Sequence, residues 1–308
     1  MTRSTTELTE QIHLACLLEA SARKPGNVHP NASFHDLEYA DFVRSADIIA
    51  PILASPTPEG LGTKILAAVT ATQQERHRNT NLGMVLLLAP LAAVPREQHL
   101  QEGITDVLQA TTRQDAALVY EAIRVANPGG MGRVDEQDLS MQPEGTLVEV
   151  MRLAAERDLV AAEYASAFDI TVETGAPFLS QLENFVEHWE AMIVTLQLIL
   201  MRDHPDTLIA RKCGAETAIE CSRRARAALK AGGLGSTLGR EQIAQLDKWL
   251  RSDDNRRNPG TTADLIAAAL FAAIREGMIV PPSVEEIQRD VSQMQDEGPW
   301  LTSDTQSA

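Results

Sequence analysis

Apolar residues recur at three- and four-residue spacing along almost the whole chain, which predicts helices and leaves little room for strands. Leu8, Ile12, Ala15 and Leu18 share one face of a first helix, which the pattern ends near Arg23, ahead of Pro25. Ser33 with Asp36 three residues on has the form of a capping box, so a second helix is predicted from Ser33, burying Phe34, Leu37, Phe42, Ile48 and Ile49. A third is predicted over 59–75 and a fourth over 81–94. The fourth is apolar on nearly all sides, the mark of a central helix. Thr112 and Asp115 repeat the capping-box pattern before a helix that Asn127-Pro128-Gly129-Gly130 stops. Further helices are predicted around 146–167, 178–203, 215–231, 239–252 and 261–277. Gly232-Gly233 marks a C-terminal stop, and Thr261 or Thr262 the cap of the last helix. The extended candidates are Phe168 to Val172 and Ile279-Val280, both short. The expectation is therefore an all-α fold, a single large helical bundle of roughly ten or more helices. It occupies residues 1–295 as one domain, followed by a polar tail over 296–308.

Composition narrows the partners. Of 308 residues, 44% are hydrophobic and 23% charged, an ordinary globular balance. The net charge of −16 repels a nucleic-acid backbone, so no nucleic acid is expected, and an anionic substrate must find its cations gathered locally. The longest apolar run, Leu82 to Val94, is about thirteen residues and too short for a bilayer, so no membrane is expected. Cys16, Cys213 and Cys221 form no C-x-x-C pair and fit a reducing compartment, the cytoplasm.

Polar residues outside helical logic gather in four places. The first is the loop from Arg23 to Asn31, where two prolines stiffen the chain and Gly26 permits close approach, presenting Lys24, Asn27, His29 and Asn31. The second is His35-Asp36, whose carboxylate fits first a helix cap and, as alternatives, a magnesium ligand or a general base. The third runs from Arg76 through Arg78, Asn79, Thr80 and Asn81 to Gly83, at the head of the most apolar helix, where free amides and the dipole favour phosphate. The fourth, Asn255 to Asp264, places Thr262 and Asp264 in the first turn of the last long helix, where a carboxylate also fits a purely structural role. Gly129-Gly130-Met131-Gly132-Arg133 has the composition of a lid with a phosphate-binding arginine, or simply of a loop.

These loops, in this order, resemble the triphosphoribosyl-dephospho-CoA synthase family. Lys24-Pro25-Gly26-Asn27-Val28, with Asn31 and His35-Asp36 after it, is similar to that family's P-K-P-G-x-V-D loop and the Asn and His-x-Asp elements that follow. Asn79-Thr80-Asn81-Leu82-Gly83 resembles its N-T-H-K-G helix head, and Gly260-Thr261-Thr262-Ala263-Asp264-Leu265 its small-residue turn before Ser-Ala-Asp-Leu. The likeness spans roughly residues 8 to 277. Arg23 stands where the family has Pro, His29 where it has Asp, and Asn81-Leu82 where it has His-Lys. The last change removes a cation that leucine cannot replace, with Arg76, Arg78 and Arg133 as candidate substitutes.

The resemblance implies an all-α transferase that moves the triphosphoribosyl group of ATP to the 2'-hydroxyl of 3'-dephospho-CoA and releases adenine. It implies magnesium (Mg2+) entering with ATP and small-molecule nucleotide partners; a homodimer is the one candidate assembly. Asp36, Asp264 and Glu19 are the candidate catalytic carboxylates, with Asp36 and Asp264 also the candidate metal ligands. Lys24, Gly26, Asn27, His29, Asn31, His35, Arg78, Asn79, Thr80, Asn81, Gly83 and Thr262 are the candidate substrate contacts. Two other readings use the same residues. An HD-type metal-dependent phosphohydrolase would join His13, His35-Asp36 and Asp264. A non-catalytic helical binding protein would keep the fold without the reaction.

Overall fold

The computed structural model describes residues 3–56, 60–76, 81–127, 142–181 and 184–297. Among them lie fifteen α-helices, one π-helical turn and one 3-10 turn, and no strand beyond an isolated bridge between His29 and Ala32. In chain order these are α1 Arg3–Ser21, α2 Tyr39–Ala54, α3 Leu61–Arg76, α4 Leu82–Ala93, α5 Leu100–Gln109, α6 Arg113–Ala126, α7 Leu147–Ala154, α8 Leu159–Ser166, the π turn Asp169–Gly175, α9 Ala176–Leu179, α10 Phe185–Asp203, α11 Thr207–Cys213, α12 Ala215–Lys230, the 3-10 turn Gly233–Gly235, α13 Thr237–Arg251, α14 Gly260–Arg275 and α15 Val284–Glu297. No helix among the described residues is long and apolar enough to cross a membrane.

Helices α4 and α14 pack on each other at the centre. Every residue from Met84 to Ala92 of α4 and from Leu265 to Ile274 of α14 is buried. A helix enclosed on all sides has no polar stripe, which is why the fourth helix is legible as central from its sequence. The alanines of α14 are small enough to let α1, α4, α10 and the π turn all approach it. A second, smaller apolar cluster joins the end of α10 to α11, α12 and α13 through residues such as Met201, Ile209, Ala225, Ile243 and Leu250.

The predicted capping box of α6 forms, with the Asp115 amide donating to Thr112 Oγ1 at 3.1 Å and the Thr112 amide to Asp115 Oδ2 at 2.8 Å. Asp115 Oδ1 also takes the Gly62 amide at 2.7 Å and so ties α3 to α6. Asn127, in the left-handed region at φ 44°, ends α6 where the breaker was expected. The Ser33–Asp36 box does not form. The chain turns there, with the Phe34 amide donating to Leu37 O at 2.8 Å, and α2 starts at Tyr39, where Asp41 takes the Glu38 amide at 2.8 Å. The 146–167 segment breaks into α7 and α8, and the helix expected from 178 begins at Phe185. Phe168 to Val172 is not extended but feeds the π turn, because Glu163 receives the amides of Ile170 and Thr171, both at 2.9 Å. Neither Thr261 nor Thr262 caps α14, whose N-cap is Pro259. Asp296 and Glu297 finish α15, so they are not tail; residues 298–308 lie outside the described residues.

Candidate active site

The helices surround a cleft of about 1590 Å³. The end of α1, the start of α4 and the start of α14 bring Glu19, Gly83 and Asp264 to its lining. The loop before α2 adds His35 and Asp36, and α6 and α7 add an apolar stretch that includes Ile123 and Met151.

Asp264 is half-buried and receives the Met84 amide near the start of α4. A Cβ added at Gly83 would sit 1.9 Å from Asp264 Oδ2, so only glycine admits this carboxylate against the helix. Burial, and after it the charge of Glu19, holds the Asp264 carboxyl well above the usual carboxylate range. Glu19 is itself buried, which raises its pKa, while Lys24 pulls it back down. Lys24 Nζ lies 3.1 Å from Glu19 Oε1, with both side chains almost wholly enclosed. Asp36 is exposed at 44%, beside His35 Nδ1 at 3.3 Å.

The remaining sequence candidates divide between wall and support. Asn27 reaches the cleft, accepts from Gln197 Nε2 at 2.8 Å and donates to Asn258 Oδ1 at 2.8 Å. Asn81 also reaches it, but its amide donates to Ser45 Oγ at 2.5 Å and Thr72 Oγ1 at 3.2 Å, joining α2 and α3 to the start of α4. Lys24 is not on the wall, contrary to its expected phosphate role. Its ammonium is enclosed and donates to the Glu19 and Ala22 carbonyls besides pairing with the Glu19 carboxylate. Gly26, expected to meet substrate, instead gives its amide to Asp247 at 2.7 Å and packs on Leu250. His29 accepts the Asn31 amide at 3.2 Å, and burial, with Arg251, Lys24 and Arg23 nearby, lowers its pKa to about 3. Asn31 donates to Met294 O at 2.8 Å, and Thr262 gives its amide and hydroxyl to Asp206, both at 2.8 Å. These residues brace the site from behind. Arg78, Asn79, Thr80 and Arg133 lie outside the described residues. Arg23, at the position of the family's proline, grips Glu190 of α10 with two bonds of 2.7 and 2.8 Å.

Sequence reasoning missed the cations of the cleft. Arg157, Arg211 and Lys212 line it, from the α7–α8 turn and from α11. Arg211 pairs with Asp158 at 3.5 Å. The signals for α11 were present, with Asp206 as cap and basic residues in the last turn, but seven residues are too few to show a helical period. His13 pairs with Asp47 at 3.0 Å away from this lining, so the HD-type set of His13, His35-Asp36 and Asp264 is not assembled. Among the described residues no three His, Cys, Asp or Glu side chains come together for a metal. A cation carried by nucleotide phosphates needs only one or two ionised protein carboxylates, and the exposed Asp36 is such a group on this lining, whereas Asp264 is held toward its neutral form.

Three comparisons bear on this cleft. Residues 5–279 match the family model CitG, described as ATP:dephospho-CoA triphosphoribosyl transferase. A Stutzerimonas stutzeri (strain A1501) protein named "Probable 2-(5''-triphosphoribosyl)-3'-dephosphocoenzyme-A synthase" is 29% identical over 147 residues, 47% of this chain and 49% of that protein. The match thus spans about half the length of that relative. The crystal structure of an Archaeoglobus fulgidus chain described as a "putative triphosphoribosyl-dephospho-coA synthase" superposes with a TM-score of 0.62 at 28% identity. It covers 77% of this chain and 100% of that one.

Proposed function

Because the chain belongs to the CitG family of ATP:dephospho-CoA triphosphoribosyl transferases, we propose that its cleft moves the triphosphoribosyl group of ATP to the 2'-hydroxyl of 3'-dephospho-CoA, releasing adenine. The observation that carries this reading is the convergence of Glu19, Asp36 and Asp264, from three separate chain segments, on one cleft. The bond from ribose C1' to adenine breaks with its electron pair leaving on the base, and the acceptor oxygen takes its place at C1'. Positive charge grows on the ribose carbon as in glycoside cleavage. Glu19, paired with Lys24 at 3.1 Å, stabilises that charge. Asp264 sits where a neutral carboxyl is favoured, so it gives its proton to the departing adenine and recovers one from the acceptor hydroxyl. Asp36, exposed beside His35, would hold the magnesium that accompanies the nucleotide phosphates, and that ion would offset their charge. A donor drawn from the ATP pool places the reaction in the cytoplasm.

The test is incubation of the purified protein with ATP, magnesium and dephospho-CoA, with adenine measured by chromatography. Adenine should appear, and Asp264→Asn should slow it by about 100-fold or more. Release of phosphate without adenine would return the phosphohydrolase reading. A lack of both adenine and any thermal stabilisation by ATP with magnesium would leave a non-catalytic binding protein.

A further inference from the structure

The cleft of an acidic protein has to collect its own cations, and the described lining offers Arg157, Arg211 and Lys212 against Glu19, Asp36, Glu156, Asp158 and Asp264. Leu82, at the head of α4, also faces this space and brings no charge. The three cations are not equivalent. Arg211 is engaged by Asp158 at 3.5 Å. Arg157 is exposed and donates to Leu153 O at 3.1 Å. Lys212 is half-buried, and its ammonium has no hydrogen bond or ion pair among the described residues. Burial and the neighbouring Arg211 charge lower its pKa, while Cys213, Asp206 and Asp36 offset this only in part. A half-buried ammonium without a partner is costly in the empty protein and is relieved by an anion.

The helix that presents it is held at both ends. Asp206 takes the Ile209 amide at 3.0 Å at the start of α11. Arg256 donates to Lys212 O at 2.8 Å at its end, and Cys213 Sγ lies 3.5 Å from Arg256 O. Arg256 follows Asp253, Asp254 and Asn255, all left-handed with φ of 66°, 54° and 56°. Asp and Asn tolerate that conformation better than other side chains. The turn thus clamps α11 and neutralises a carbonyl end that would otherwise repel phosphate.

We propose that Lys212 is the principal polyphosphate-binding cation of the cleft and takes the triphosphate of the nucleotide donor. The donor is favoured over the acceptor's diphosphate because its longer polyphosphate carries more charge, and because Asp36, the carboxylate that would hold magnesium, lines the same cleft as Lys212. This assignment rests on the transferase reading for the identity of the donor, but its test does not need turnover.

Binding of ATP with magnesium, and separately of adenosine, is measured by calorimetry on wild type, Lys212→Met and Lys212→Arg. Methionine keeps the stem that packs in the cleft and removes the charge, and a urea melt matching wild type confirms that it folds. If Lys212→Met fails to fold, Lys212→Gln takes its place in the same titration, and an ATP affinity unchanged from wild type overturns the assignment. Lys212→Met should bind ATP about tenfold or more weakly with adenosine unchanged, and Lys212→Arg should stay within about threefold of wild type. In turnover, KM for ATP should rise while kcat changes little. Unchanged ATP affinity in Lys212→Met, or a rise confined to KM for dephospho-CoA, would overturn the assignment. A wild type that binds ATP without releasing adenine would sink the transferase reading while leaving the calorimetric comparison to judge Lys212. A wild type that binds no ATP would sink both.

Discussion

At the scale of single residues, Glu163 shows how a buried charge becomes a pH response. It is fully enclosed on α8, and its two oxygens accept the amides that start the π turn. Burial pushes its carboxyl from a usual 4.5 up to about 7, against the pull of those hydrogen bonds. The folded protein therefore keeps this proton to higher pH than the unfolded chain does. The associated stability is fully present below about 4.5 and is lost as pH rises through about 7. The difference is on the order of 3 kcal/mol. Urea midpoints should fall between pH 5 and pH 8, and Glu163→Gln should flatten that dependence. A variant with the same pH slope as wild type would assign it to another group. Nothing in the sequence separates this glutamate from the many on the surface, because its proton affinity is set by neighbours that arrive only on folding.

At the scale of elements, Asp206 binds two helix starts with one carboxylate. One oxygen takes the Ile209 amide of α11 at 3.0 Å, and the other takes the amide and hydroxyl of Thr262 in α14 at 2.8 Å. The threonines before Asp264 have the local look of a cap, yet the acceptor at this helix start comes from a residue 56 positions earlier in the chain. Capping patterns are read reliably only where the partner lies within one turn, as at Thr112 and Asp115. Asp206→Ala should leave several buried donors unpaired and lower stability by about 2–4 kcal/mol in urea denaturation. Because α11 carries Lys212 and α14 carries Asp264, adenine release should drop with it. A loss below about 0.5 kcal/mol would mean that water replaces the carboxylate without penalty.

At the scale of the whole molecule, two apolar clusters share one helix. The large cluster is built around α4 and α14, and the small one joins α10 to α11, α12 and α13. The smaller buries fewer large side chains and so has the lower opening energy. Amide hydrogen exchange should release α12 and α13 before α4 and α14, and ATP with magnesium should slow exchange in α11. Uniform protection across both clusters would show a single cooperative unit. The cleft runs across both, since Asp264 is carried by α14 of the first and Lys212 by α11 of the second.

The sequence alone was enough for the helical class, the central place of α4, the α6 capping box and the loops that carry the family's motifs, because periodicity, breakers and short-range caps are written within a few residues. Only the tertiary structure decided which polar groups face the cleft. It turned Lys24 inward onto Glu19, committed Asn31 and Thr262 to bracing, and brought Lys212 to the cleft from a helix too short to announce itself. The physical reason is that a side chain's job depends on what lies opposite it, and here what lies opposite is as much as 263 residues away along the chain.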